Sequence, residues 1–280
     1  MGGGADEPRA SVETAPQPGV LPAVVAVCEG DAMTLLVSFL CRFAWGMAVG
    51  LLLTPAGDVP AGFFRVNLLV VMGLATLAAL AAATAWPIGL VCVACGLAAV
   101  ASWLGGIGWL AARRTFAIGC TVVVTAALAI ATMGSVAQPG LTATGVMGSA
   151  AALSAGLVIG LSVHAMLLGH WYLNAPGMRV DILQTMVLWT LAVWGLETAV
   201  ALAGLPSLYG LLGDPAMAAL GGLRWIAGLA GLPVLLVMSR RTLEIPNTQS
   251  ATGILYVACL AAIVGELTAQ LLTERAGWPV

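Results

Sequence analysis

Hydrophobic residues in this chain do not alternate with polar ones; they run on, largely unbroken, between short polar breaks. A helix needs about 20 mainly apolar residues to cross the hydrocarbon of a bilayer. Eight stretches reach that length: roughly 32–53, 63–84, 87–111, 115–136, 144–172, 182–204, 216–239 and 249–272. The breaks carry turn and helix-stop chemistry: Thr54-Pro55-Ala56-Gly57-Asp58, Trp86-Pro87, Arg113-Arg114, Gln138-Pro139-Gly140, Asn174-Ala175-Pro176-Gly177, Gly204-Leu205-Pro206, and Arg240-Arg241 through Pro246-Asn247. A membrane β-barrel would show apolar residues at every second position, and the runs here are continuous. The pattern predicts an all-α, polytopic membrane bundle of about eight helices, of which only the fifth span looks interrupted.

Arg113-Arg114-Thr115 closes the third span and Arg240-Arg241-Thr242 the seventh, 127 residues later. Four spans separate the two, so the chain reads as two four-helix bundles in the same orientation, although basic residues after such spans are common without any repeat. The first 22 residues are Gly- and Pro-rich, polar and aperiodic, which predicts a disordered or loosely tethered tail over 1–30 and one membrane domain over 31–280. Glu29 and Asp31 stand where a helix N-terminus favours negative charge.

Composition sharpens the class. Of 280 residues, 61 % are hydrophobic and 8 % charged, against about 45–50 % and about 25 % in soluble domains. That excludes a soluble globule and a disordered chain alike. All 10 basic residues are arginine, so no lysine Schiff base or P-loop lysine exists, and a net charge of −2 gives no footing for nucleic acid. Arg65, Arg113, Arg114, Arg179, Arg240 and Arg241 fall on one side of the eight spans, and only Arg9 and Arg275 on the other. The positive-inside rule places the first group in the cytoplasm of a prokaryotic-type inner membrane and both termini outside.

Cysteines fall at 28, 41, 92, 95, 120 and 259, all but the first inside apolar runs. Cys92 and Cys95 form a C-x-x-C among small residues, which reads as helix packing.

Charges at membrane depth are costly and mark candidate sites. Arg42 lies near the middle of span one; Glu197, Arg224 and Glu266 lie in the outer halves of spans six, seven and eight. At 1.5 Å per residue the last three sit roughly 10 Å below the outer boundary, which predicts a buried Glu197–Arg224–Glu266 network. Such a cluster either pins helix packing or leaves one glutamate protonated near neutral pH, able to carry a proton or hydrogen-bond a quinone.

The second constellation, HAMLLGHWYLNAPG, holds both histidines. His164 and His170 are six residues apart on one helix, about 9 Å along it and about 120° around it. They cannot bracket one iron, so a bis-histidine haem is not expected, and no H-E-x-x-H zinc helix is present. His164, His170, Tyr172 and Gln184 together suggest a polar pocket for a quinone head-group or a proton relay; the alternatives are interface aromatics and a histidine satisfied by a neighbouring helix.

Eight spans, outer termini, the absence of a haem-ligand pair and Gly265-Glu266-Leu267 in the last span resemble the haem-free membrane-anchor subunits of polysulfide/dimethyl-sulfoxide reductase-type complexes. The resemblance implies docking of an iron–sulfur or cytochrome subunit, electron exchange with a membrane quinone, and a quinone- or proton-linked role for Glu266. The HWYLNAPG stretch has no counterpart in it. The sequence therefore leaves three function classes: a quinone-interacting respiratory subunit without its own metal centre, a secondary transporter, and a structural membrane subunit.

Overall fold

The computed structural model describes residues 20–85, 89–136, 143–175, 177–245 and 247–280, with side chains from Ala32 onward except those of 143 and 144. The breaks read at Trp86-Pro87 and Gln138-Pro139-Gly140, Pro176, Pro246 and the tail before Val20 lie outside the described residues. Described residues form helices α1 (Val20–Leu53), α2 (Ala61–Ala85), α3 (Leu90–Leu110), α4 (Arg114–Ser135), α5 (Ala143–Asn174), α6 (Val180–Ala203), α7 (Leu205–Leu211), α8 (Pro215–Leu223), α9 (Leu232–Glu244) and α10 (Thr248–Ala276). Eight helical stretches are long and apolar enough to cross a membrane, so the chain is an all-α polytopic membrane protein.

The helices sort themselves by the inverse of a soluble rule. Along α3 the large residues Leu90, Val93, Leu97, Val100 and Leu110 are more than half exposed, while Ala94, Ala98, Ala101, Gly105 and Gly108 are buried. With lipid outside there is no penalty for exposing leucine, and small residues inside let helix backbones approach.

Neighbour contacts close two rings. The pairs α1–α2, α2–α3, α3–α4 and α4–α1 make the first; α5–α6, α6–α9, α9–α10 and α10–α5 make the second. The rings meet mainly along α1 and α5, so the architecture is two four-helix bundles side by side.

Two local expectations are corrected. The first helix is described from Val20 onward, so Glu29 and Asp31 fall within it rather than in its first turn; the apolar stretch VLPAVVAV continues the helix backward. The fifth span is not interrupted: α5 runs unbroken for 32 residues, and the irregular span is the seventh, where α8 passes without a break into a π-helical segment, Arg224–Gly231, before α9. Pro233 lies just beyond and has no N–H for the carbonyl four residues back, and a widened turn upstream is one way a helix absorbs that loss.

Candidate functional site

The seam between the rings is built on a four-residue ladder. On α1 it reads Ser38, Arg42, Gly46, Gly50, Thr54; on α5 it reads Gly148, Ala152, Gly156, Gly160, His164. Residues four apart share a helix face, and G-x-x-x-G lets two membrane helices touch backbone to backbone. A Cβ added at Gly156 would stand 2.7 Å from the Arg42 carbonyl oxygen, and one at Gly50 would stand 2.6 Å from the His164 ring. Arg42 pairs with Gly156 and Gly50 with His164, so the register rises together and the two helices run parallel. The middle of the seam has no room for side chains.

At the end away from Arg113-Arg114 and Arg240-Arg241, the seam opens into a cavity of about 250 Å³. Its walls are Thr34, Ser38 and Arg42 of α1, Ser135 of α4, Gly148, Ala151, Ala152 and Ala155 of α5, Glu197 of α6, and Glu266, Gln270, Thr273 and Glu274 of α10. Gly277 takes a left-handed conformation, φ 66°, that ends α10 and turns Trp278–Val280 back along the cavity rim. Val280 N–H donates to Thr273 Oγ1 at 3.4 Å, and Pro279 packs its carbonyl against Gly204.

Behind the cavity the structure brings three predicted residues together. Arg224 opens the π-helical segment; its Nη1 donates to Glu266 Oε1 at 2.8 Å and its Nη2 to Glu197 Oε1 at 2.9 Å. All three side chains are buried. Backbone approach makes the reach possible: a Cβ on Gly228 would lie 2.9 Å from Gly265 Cα, which sits one residue before Glu266.

The two acids are not equivalent. Glu197 has both oxygens served, Oε1 by Arg224 and Oε2 by the Ser154 hydroxyl. Glu266 has Oε1 held by Arg224, while its Oε2 has no hydrogen-bond partner among the described residues. Arg42 stands across the cavity, within electrostatic reach of Glu266, Glu197 and Glu274, and its Nε is likewise without a hydrogen-bond partner among the described residues. Buried carboxylates in low dielectric need pairing to stay charged, and of the two acids Glu266 is the less fully paired.

The other four candidates do not share a pocket. His164 is fully buried on the seam, with Nε2 2.7 Å from Thr54 Oγ1. Thr54 Oγ1 also donates to the Gly50 carbonyl at 2.8 Å, an arrangement that suits an Nε2–H donor on His164. Phe63 packs edge-on against both His164 and Trp171, which lie seven residues apart on one helix face. His170 is exposed and meets Tyr256 OH at 3.2 Å. Tyr172 is buried and donates to the Arg179 carbonyl, fastening the α5–α6 loop. Gln184 donates to the Leu243 carbonyl at 3.2 Å, tying α6 to α9. Six residues of helix point the two histidines in different directions, and each side chain finds a different neighbouring helix.

Sequence reasoning missed the glycine seam, although Gly46-x-x-x-Gly50 and Gly156-x-x-x-Gly160 were there to be seen. Among the described residues, no three His, Cys, Asp or Glu side chains converge on a metal-sized site. Comparison with protein-family models, with curated proteins and with solved structures returns no match.

Proposed function

We propose that the chain is an integral membrane subunit that exchanges protons at Glu266 in quinone-linked electron transfer, drawing its electrons from a partner subunit. The observation that supports this most is the asymmetry of the two acids. Glu266 lines a polar cavity with one carboxylate oxygen unpaired, while its other oxygen is held by an arginine already shared with Glu197. A cavity of about 250 Å³ has room for a ring-sized head-group or for several waters. At the same end an apolar recess of about 520 Å³, bounded by Leu202, Leu205, Leu208, Gly221 and Trp225, suits the tail of a lipid-soluble molecule. The orientation belongs to the proposal: the arginine-rich loops are cytoplasmic, so the cavity opens outward. Reporter fusions after Arg114 and after Val280 should then report opposite compartments.

The deciding experiment is Glu266→Gln in the complex purified from native membranes. Glutamine keeps the shape and a hydrogen bond to Arg224 but cannot carry a proton. The complex should assemble as wild type while quinone-linked turnover falls by about 100-fold or more. Turnover unchanged in the assembled variant would refute the proposal.

One observation favours a secondary transporter instead. The seventh span carries a π-helical segment beginning at Arg224, and the cavity lies between two four-helix units; irregular helices at a repeat interface are a feature of transporters. Electrogenic flux in proteoliposomes lacking any redox partner would select that reading.

A further inference from the structure

We propose that a recess at the arginine-rich end of the first ring binds the phosphate of an anionic phospholipid. The recess, of about 220 Å³, lies where three spans stop: α1 ends at Leu53, α3 ends at Leu110 and α4 begins at Arg114. Span ends mark the membrane boundary, where lipid head-groups sit. The walls are largely apolar, with Leu51 and Leu52 from α1, Phe64 from α2 and Ile118 from α4. Phe64 stacks on Trp109 of α3, ring centroids 4.5 Å apart and planes at 17°, which gives the recess an aromatic side. Leu52 and Ile118 are each 38 % exposed, so one flank is open to lipid.

The polar groups decide the ligand. Among the described residues Arg114 is the one charged side chain that lines the recess, and it makes no ion pair there. Its guanidinium lies against Gly57, 3.5 Å from where a Cβ would stand, so the loop after α1 holds it at the mouth. Trp109 also lines the recess; it is 7 % exposed, and its indole N–H has no hydrogen-bond partner among the described residues. The two threonines have already committed their protons, Thr54 Oγ1 to the Gly50 carbonyl and Thr121 Oγ1 to the Ala117 carbonyl. The groups left over are donors. Arg114 is moreover the first residue of α4, where backbone N–H groups lack helical partners and the helix dipole favours an anion. Donors and one positive charge beside apolar walls call for a ligand with acceptor oxygens, negative charge and a hydrocarbon part. An acidic phospholipid has all three, whereas the choline of a zwitterionic one brings a second cation to Arg114. This site is separate from the cavity at Glu266 and does not depend on proton exchange there.

The test is native mass spectrometry of the full chain released from detergent micelles, titrated with phosphatidylglycerol or with phosphatidylcholine of the same acyl chains. Wild type should hold one phosphatidylglycerol about tenfold more tightly than phosphatidylcholine. Arg114→Gln should erase that preference, while Arg241→Gln, exposed at the same end, should leave it within about twofold of wild type. Ala56→Trp fills the recess and keeps Arg114, and it should lose the same lipid. Elution volume and helical circular dichroism check that each variant is folded. The proposal is overturned if wild type binds both lipids equally, or if Arg241→Gln weakens phosphatidylglycerol as much as Arg114→Gln does. Wild-type affinity in folded Ala56→Trp would also overturn it, because surface charge without the recess would then suffice.

Discussion

The two ends of the α1–α5 seam are built from the same ladder and end in opposite ways. At one end the ladder reaches Arg42, the helices part, and charges from α1, α6 and α10 face a cavity, with Arg224 of the seventh span behind them. At the other end, twelve residues or about 18 Å further along the chain, it reaches Thr54 and His164, which close on each other with a hydrogen bond, with Phe63 edge-on against the imidazole. Both ends bury polar groups; a recess of about 220 Å³ reaches Thr54 at the second end, but it is lined by neither histidine and by no carboxylate. Buried polarity alone therefore does not mark a site. The proposed site combines polarity, unfilled volume and unpaired atoms on ionisable groups, Glu266 Oε2 and Arg42 Nε among the described residues.

The largest expected effect breaks the charged end. Arg224→Ala leaves Glu197 and Glu266 buried without their shared cation, and breaking a buried pair costs about 3–5 kcal/mol. Reversible unfolding in mixed micelles should show this loss. Adding Glu197→Gln and Glu266→Gln to Arg224→Ala should recover much of it, because no unpaired charge then remains. An Arg224→Ala protein as stable as wild type would mean that water enters the cluster freely, and the contrast with the closed end would fail.

Next in size is the seam's middle. Gly46→Val puts a branched side chain against the backbone of Gly156 and Gly160, where even a Cβ overlaps. Overpacking of this kind costs about 1–3 kcal/mol. Gly73→Val, on α2 with open space around it, should cost less than half as much. If the two substitutions cost the same, helix propensity rather than backbone contact governs both.

These two predictions draw on different layers of legibility. The span count and the shared depth of Glu197, Arg224 and Glu266 could be read from the chain, because lipid forces long apolar runs and makes each buried charge conspicuous. The two-ring arrangement was visible only as a faint echo between Arg113-Arg114 and Arg240-Arg241. The grouping of His164, His170, Tyr172 and Gln184 failed for a physical reason. Nearness in sequence says which residues share a helix, and these side chains are partnered by α1, by α10, by the loop before α6 and by α9. Arg42 was visible as a charge in span one, but its place across a cavity from Glu266 depends on how the two rings meet along the glycines. The π-helical segment hides because Leu-Arg-Trp-Ile-Ala-Gly-Leu-Ala-Gly has the composition of an ordinary span.

A smaller effect tests the closed end. Thr54→Val removes the hydrogen-bond partner of His164 Nε2, and Nδ1 of that ring already has no partner among the described residues. An unsatisfied buried polar group costs about 1–3 kcal/mol. Thr54→Ser keeps the hydroxyl and should restore most of the stability. Equal stability of the valine and serine variants would show that the hydroxyl does not satisfy the histidine.

The smallest effect concerns the second histidine. His170 is exposed near the arginine-rich end, and its contact with Tyr256 lies at the surface of the bundle. Its ring can turn to water or to lipid head-groups without leaving a buried atom unpaired, so His170→Ala should change stability by no more than about 0.5 kcal/mol. Tyr256→Phe should match it, since it removes the same hydrogen bond from the other side. Quinone-linked turnover should also stay within twofold of wild type in His170→Ala, about 0.4 kcal/mol in barrier, because this end of the seam holds no cavity shared by the two histidines. A large drop in turnover with stability unchanged would place a second working site at the arginine-rich end. The two ends would then differ in which side of the membrane they serve rather than in whether they act.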